Sequence, residues 1–98
     1  MRLTYHPEAE LEVIEAAAFY ENRLRGLGDR FLRAFDAAIS TVLANPNRFA
    51  FVESDLRRFS MRRFPYAIYY RVEGDELRVL VVKHHKQHPD YWRHRLAE

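Results

Sequence analysis

The chain contains no cysteine in its 98 residues, which excludes a disulfide framework and any thiolate metal site and suits a reducing cytoplasm. Its start, MRLTYHPEAE, lacks the apolar stretch of a secretory leader. No run approaches the roughly 18 apolar residues of a membrane span. The expectation is a soluble, cytoplasmic protein with no membrane partner. Also missing are a glycine-rich phosphate loop, an HExxH pair and a Ser-His-Asp arrangement. His85-Lys86-Gln87-His88 has no companion ligands at zinc spacing, so neither a metal nor a cofactor is expected. No repeat, low-complexity segment or linker divides the sequence. Residues 1–98 read as one domain, long enough to bury a core without a covalent or metal staple.

What is present is unevenly charged. The net charge is only +2. Residues 1–53 hold 6 Arg against 8 acids, a balance of −2, whereas residues 54–98 hold 10 Lys plus Arg against 6 acids, a balance of +4. Four of the five histidines, His84, His85, His88 and His94, lie in the second part. Basic charge gathered on one part of a fold suits an anionic partner, although a solvated charged surface has the same composition.

The clearest local signal spans residues 66–84. YAIYYRVE and ELRVLVVKH are rich in β-branched and aromatic residues and are separated by Gly74-Asp75, the pattern of a tight hairpin. That loop sets Val72 opposite Leu77, Arg71 opposite Arg78, Tyr70 opposite Val79, Tyr69 opposite Leu80 and Ile68 opposite Val81. Alternation then places Tyr66, Ile68, Tyr70, Val72, Leu77, Val79 and Val81 on one face that must be covered. The Arg71–Arg78 pair looks like an anion clamp, but Glu73 and Glu76 on the diagonals favour a neutralised ladder.

Upstream, Arg2 to Tyr5 reads as a short strand. Pro7 in the favoured first helical position, followed by Glu8, Glu10 and Glu12, predicts a helix to about Arg25. Leu11, Ile14 and Ala18 form one stripe of it, and Val13, Ala17, Tyr20 and Leu24 another. Asp29, or Gly28, is the expected N-cap of a second helix. The spacing of Phe31, Phe35, Ala38, Ile39 and Val42 gives that helix a single apolar face, and Asn45-Pro46 stops it. Asn47 to Asp55 reads as a loop with Phe49 and Phe51 folded inward. Leu56 to Phe64 alternates as a strand, and Pro65 ends it. The tail around Tyr91-Trp92 reads as a short helix start or a packed extended end, with Trp92 pinning it to the core. The order β-α-α-β-β-β predicts an α+β fold in which a helical hairpin packs on one face of a small antiparallel sheet.

That order, together with HPEAELEVIEAAAFYE at 6–21, GLGDRFL at 26–32, NPNRF at 45–49 and RRFPYAIYYRVEGDELRVLVVKHHKQHPDYW at 62–92, resembles the RelE/ParE superfamily of bacterial type II toxin–antitoxin toxins. The resemblance spans essentially the whole chain. It implies a growth-inhibiting toxin silenced by a cognate antitoxin in a hetero-oligomer. It also implies one of two targets, DNA gyrase for ParE-type members or messenger RNA on the ribosome for RelE-type members.

Cleavage by a 2′-hydroxyl needs a proton acceptor, a proton donor and cations for the developing charge. Placed on the RelE pattern, Arg58 and Ser60 fall where that subgroup has lysines, while Ala67 and Gln87 fall where it has arginines. Only Arg58, as phosphate holder, and Tyr91, as proton acceptor, retain comparable chemistry, and these are the candidate catalytic residues if the chain is a nuclease. Arg58, Arg62, Lys86 and His88 are the candidates for binding the target or an anion. The resemblance implies an antitoxin that wraps the hairpin of helices and the sheet, with Leu11, Ile14, Ala18, Arg71 and Arg78 as its contacts. The incomplete RelE set favours a ParE-like gyrase inhibitor that works by binding. A ribosome-dependent endonuclease and an inactive relic retained as antitoxin partner or co-repressor are the alternatives.

Overall fold

The computed structural model describes residues 1–97. Its elements are β1 (Arg2–Tyr5), α1 (Pro7–Arg23), α2 (Leu27–Ala44), β2 (Phe51–Glu53), β3 (Leu56–Ser60), β4 (Tyr66–Glu73), β5 (Glu76–His84) and a 3-10 segment at Arg93–Ala97. The two helices cover one face of a five-stranded sheet of order β1-β5-β4-β3-β2. β1 runs parallel to β5, so the sheet is mixed rather than wholly antiparallel. β2 adds an edge strand where a loop was expected. Phe51 on it is 56% exposed rather than folded inward, with the Arg57 guanidinium 3.9 Å over one face of its ring. Phe49 does turn in, edge-on to Phe59 at 4.9 Å.

The helices begin for visible reasons. His6 caps α1 through Nδ1, which accepts from the Glu8 amide at 3.1 Å, and Pro7 follows at the first helical position. α2 starts earlier than Asp29 predicted, with Gly26 as its cap in the left-handed region at φ +89°. The carboxylate that serves there is Glu21, which accepts from the Gly26 amide at 3.0 Å and the Gly28 amide at 3.1 Å. It thereby satisfies two of the backbone amides at this helix start, upstream of those an Asp29 cap would have served. The predicted stripe Phe31, Phe35, Ala38, Ile39 and Val42 is buried throughout. With Tyr20, Phe64 and Tyr66 it builds an aromatic centre whose Tyr20–Phe64, Phe31–Phe64 and Phe31–Tyr66 rings meet edge to face at 4.8–5.2 Å.

The hairpin keeps the expected register from the turn to Tyr70 opposite Val79 and then shifts. Tyr69 pairs with Val81 and Ile68 with Val82, leaving Leu80 as a bulge. Val82 consequently joins Ile68 under the helices, and Val81 moves with Tyr69 to the opposite face. The shift falls where β5 loses its β1 neighbour. Tyr5 is the last β1 residue in register, opposite Val79, and the His6 amide donates to the Val79 carbonyl at 2.8 Å before α1 begins. Side chains then satisfy the bare β5 edge. Arg95 donates to the Leu80 carbonyl at 2.9 Å, Glu12 accepts from the Val82 amide at 2.9 Å and Gln87 accepts from the His84 amide at 2.8 Å. β3 is shorter than predicted, since the Met61 amide donates to the Tyr66 carbonyl at 2.9 Å and turns the chain before Pro65.

Candidate functional site

On the face turned away from the helices, alternation brings together Leu56, Arg58 and Ser60 of β3, Ala67, Tyr69 and Arg71 of β4, and Arg78, Val81 and Lys83 of β5. Basic side chains do gather on this face, but they do not leave it bare. Instead the C-terminal tail lies across its middle: Trp92 is 2% exposed and meets Tyr69 edge-on at 5.3 Å, with Tyr91 and Leu96 beside it. The predicted pinning role of Trp92 is observed. Ala67 is buried in the same cluster as Trp92 and Lys83 is buried beside it, while Arg58 and Ser60 stay exposed at that end of the face.

A buried ionic latch holds the tail. Arg95 is 3% exposed. Its guanidinium donates to Glu12 Oε1 at 2.8 Å and to Glu8 Oε2 at 3.1 Å. His94 Nε2 stands 2.6 Å from the same Glu8 oxygen, and this bond to the histidine holds the Glu8 carboxyl below the usual carboxylate range. The Tyr91 hydroxyl donates to Glu12. Burial first and the Glu12 carboxylate second push the Tyr91 phenol well above its ordinary value, which keeps it a neutral donor and not a proton acceptor. Tyr91 is tied to α1 through Glu12, whereas Arg58 stands on β3 opposite Tyr69.

The anion-binding candidates are similarly distributed. Arg58 is exposed, and its side chain has no ion pair or hydrogen bond among the described residues. Arg62 lies on the helix side, in a groove of about 1120 Å³ shared with Arg30, Arg48 and Arg63 over Phe49 and Phe59. Lys86 and His88 are exposed on the loop after β5. Their loop is shaped by histidine acceptors: His84 Nδ1 accepts from the Lys86 amide at 3.0 Å and His88 Nδ1 from the Asp90 amide at 3.1 Å. Burial, then the neighbouring His85, Lys86 and Lys83, lower the His84 pKa. Its ring packs on Tyr66 at 5.1 Å. Lys83 was not singled out from the sequence. It is buried, its ammonium donates to the His84 carbonyl at 3.0 Å, and burial followed by the charge of Arg58 lowers its pKa. Only the bulge, which resets β5, tells on which face it stands.

The candidate antitoxin contacts occupy opposite layers. Leu11 and Ile14 are 56% and 57% exposed, and with Ala18 they form an apolar stripe on the outside of α1. Arg71 and Arg78 are paired across β4 and β5 as expected, but their neutralisation differs from the diagonal ladder. Asp55 binds Arg71 at 3.0 Å, and Arg78 donates to the Thr4 hydroxyl at 3.3 Å, which donates to Glu76 at 2.7 Å. Glu73 plays no part in these bonds. Among the described residues no group of three or more His, Cys, Asp and Glu is placed to hold a metal ion, and no helix is long and apolar enough to cross a membrane.

A family model described as the ParE toxin of the type II toxin–antitoxin system parDE matches residues 3–89. The chain belongs to the ParE toxin family. Curated relatives include Toxin ParE2 from Mycobacterium tuberculosis strains CDC 1551 / Oshkosh and ATCC 25618 / H37Rv. Each is 29% identical over 90 residues, covering 91% of this chain and 86% of the relative. Among solved structures, a chain of the chromosomal ParDE TA system from P. aeruginosa superposes with a TM-score of 0.65 at 21% identity, covering 86% of this chain and 95% of that chain. The shared fold is the helical hairpin on a mixed sheet. As a toxin of a type II module, this ParE family member has an antitoxin as its expected partner.

Proposed function

We propose that this toxin arrests growth by binding DNA gyrase and that its antitoxin silences it by seating on the outer face of α1. The observation that carries the first part is the state of Tyr91. The one candidate proton acceptor is held as a neutral donor on Glu12, so the RelE-type acid–base chemistry lacks its base. Inhibition by binding needs no such pair. Purified toxin added to a gyrase supercoiling and cleavage assay is expected to lower supercoiling or trap cleaved DNA. Normal supercoiling without trapped DNA refutes the reading, and cleaved transcripts on translating ribosomes would replace it with the endonuclease.

The antitoxin seat rests on the exposed stripe of Leu11, Ile14 and Ala18. A partly disordered segment that folds on contact would bury these side chains with its own apolar residues. Arg71 and Arg78, on the other layer, take part if the same segment continues around to the sheet. The localisation expected is the cytoplasm, where gyrase works.

A further inference from the structure

The helices do not cover the sheet evenly. α1 lies over β5, where Glu12 accepts from the Val82 amide, and α2 stands between α1 and the groove of about 1120 Å³ above β3. Both banks of that groove are pinned. The Tyr70 hydroxyl donates to the Pro46 carbonyl at 3.2 Å, and Arg57 donates to the Asn47 and Phe49 carbonyls at 3.0 and 2.7 Å, which fixes the turn carrying Arg48. On the other bank Phe64 is anchored edge-on to Phe31 at 5.2 Å. Arg62 and Arg63, just before it, therefore stand exposed on a tethered loop.

Charge and apolar surface are combined in this groove. Arg30, Arg33, Arg48, Arg62 and Arg63 line it, and no acidic residue does. Arg33 pairs with Asp29 at 3.1 Å and Arg48 lies over the Phe49 ring at 5.7 Å. The side chains of Arg30, Arg62 and Arg63 have no ion pair or hydrogen bond to any described residue. Like charges gathered without counter-charge repel one another in the free protein, and an acidic partner relieves them. Beneath them Phe49 and Phe59 meet edge to face at 4.9 Å. Along α2 the wall is Ala34, Ala37, Ala38 and Thr41, small residues at the spacing of one helix face, which let a partner backbone come close.

We infer that this groove docks an acidic amphipathic helix presented by the toxin's target, an inference that rests on the reading above only for the target's name, gyrase. A helix fits better than an added strand because β3 is already paired on both edges, by β2 and β4. An extended segment laid here would leave its amides unpaired, whereas a helix brings its own backbone bonds. From Leu27 to Thr41 the wall is about 21 Å long at 1.5 Å per residue, room for about four helical turns. A protein segment fits better than a nucleic acid because a phosphodiester chain would meet the arginines and leave the apolar floor uncovered, and the two floor rings pack on each other instead of lying flat for bases. The antitoxin seat proposed on α1 lies across α2 from this groove, so the two contacts are separable by mutation.

Growth arrest on expression, gyrase supercoiling with purified toxin and titration calorimetry with the cognate antitoxin, run on the same full-length variants, test this. The Arg62→Glu/Arg63→Glu double variant and Ala37→Glu are each expected to abolish growth arrest and to raise the toxin concentration for half-inhibition of gyrase by about tenfold or more. Antitoxin affinity is expected to stay at the wild-type value, and Arg2→Gln on the far edge strand is expected to match wild type throughout. All three mutated groove positions are exposed, and thermal melts check the fold. Should the double variant unfold, Ala37→Glu carries the result. If wild type arrests growth without touching gyrase while the groove variants arrest nothing, the target's name falls and the groove stands. Groove variants that arrest growth and inhibit gyrase like wild type would overturn the groove and leave the gyrase reading in place. Weakened antitoxin binding by these variants would overturn it in favour of the antitoxin, and salt-dependent binding of labelled duplex DNA or RNA that they abolish would overturn it in favour of a nucleic acid. A wild-type chain that arrests no growth overturns both readings.

Discussion

Single residues carry more than their local share because several of them close bare backbone. Glu12 accepts from the Val82 amide, from Arg95 and from Tyr91, and Arg95 joins that carboxylate to the Leu80 carbonyl. Removing the guanidinium leaves a nearly buried carboxylate and an edge carbonyl unsatisfied. Arg95→Leu is therefore expected to cost about 3 kcal/mol, read as a lower urea midpoint with tail hydrogens exchanging faster. The tyrosines give a second test. Burial raises the phenols of Tyr5, Tyr20, Tyr66, Tyr70 and Tyr91 above the ordinary value of 10.0. A folded pKa above the unfolded one contributes stability that is complete below the unfolded value and is lost as pH rises beyond it. Unfolding free energy is expected to hold up to about pH 10 and then fall, with tyrosinate absorbance rising together with unfolding. Phenols that titrate freely while the fold stays intact would contradict the burial.

At the scale of elements, two close approaches set how the layers meet. A Cβ on Gly28 would lie 2.6 Å from the Ala17 carbonyl oxygen and 3.0 Å from Glu21 Cβ, so the hairpin of helices closes only because this position has no side chain. Gly28→Ala is expected to destabilise by about 1–3 kcal/mol and to disturb the Glu21 cap, which thermal melts and amide shifts at Gly26 and Leu27 would report. The bulge at Leu80 sets the other approach. The helix stripe was legible because burial imposes a period of about 3.6 residues on Phe31 through Val42, and the hairpin because two β-branched and aromatic runs flank Gly74-Asp75, although Tyr66 to Tyr70 are buried on both faces. The bulge was not legible, because Leu80, Val81 and Val82 are equally apolar and either register buries them. Trp92→Ala should expose Tyr69 and Leu80 and cost about 3–5 kcal/mol, releasing the tail before the helical layer melts.

For the whole molecule, the placement of surfaces matters most. An apolar stripe faces out from α1, and a ring-covered sheet lies behind it. Ile14→Asp is expected to leave the fold intact, because the side chain is exposed, while weakening antitoxin binding at least tenfold, as a charge placed in an apolar contact must. Titration calorimetry with the cognate antitoxin checks this, and unchanged affinity would move the seat elsewhere. Arg58 and Tyr91 were nominated together from the resemblance, yet the fold commits the Tyr91 hydroxyl to Glu12 on α1. The spacing of residues along a chain does not say which strand edge a tail will choose.

By itself the sequence determined the α+β order, the apolar faces of α2 and the hairpin, two apolar stripes on α1 and the membership of a toxin family. Each of these depends on local periodicity or on phrases a few residues long. Tertiary structure alone decided the parallel β1–β5 pairing, the bulge, the burial of Lys83 and Arg95, and the covering of the open face by Trp92. These depend on contacts between residues distant in the chain, where a backbone edge left unpaired by one element has to be satisfied by whichever side chain the fold brings to it.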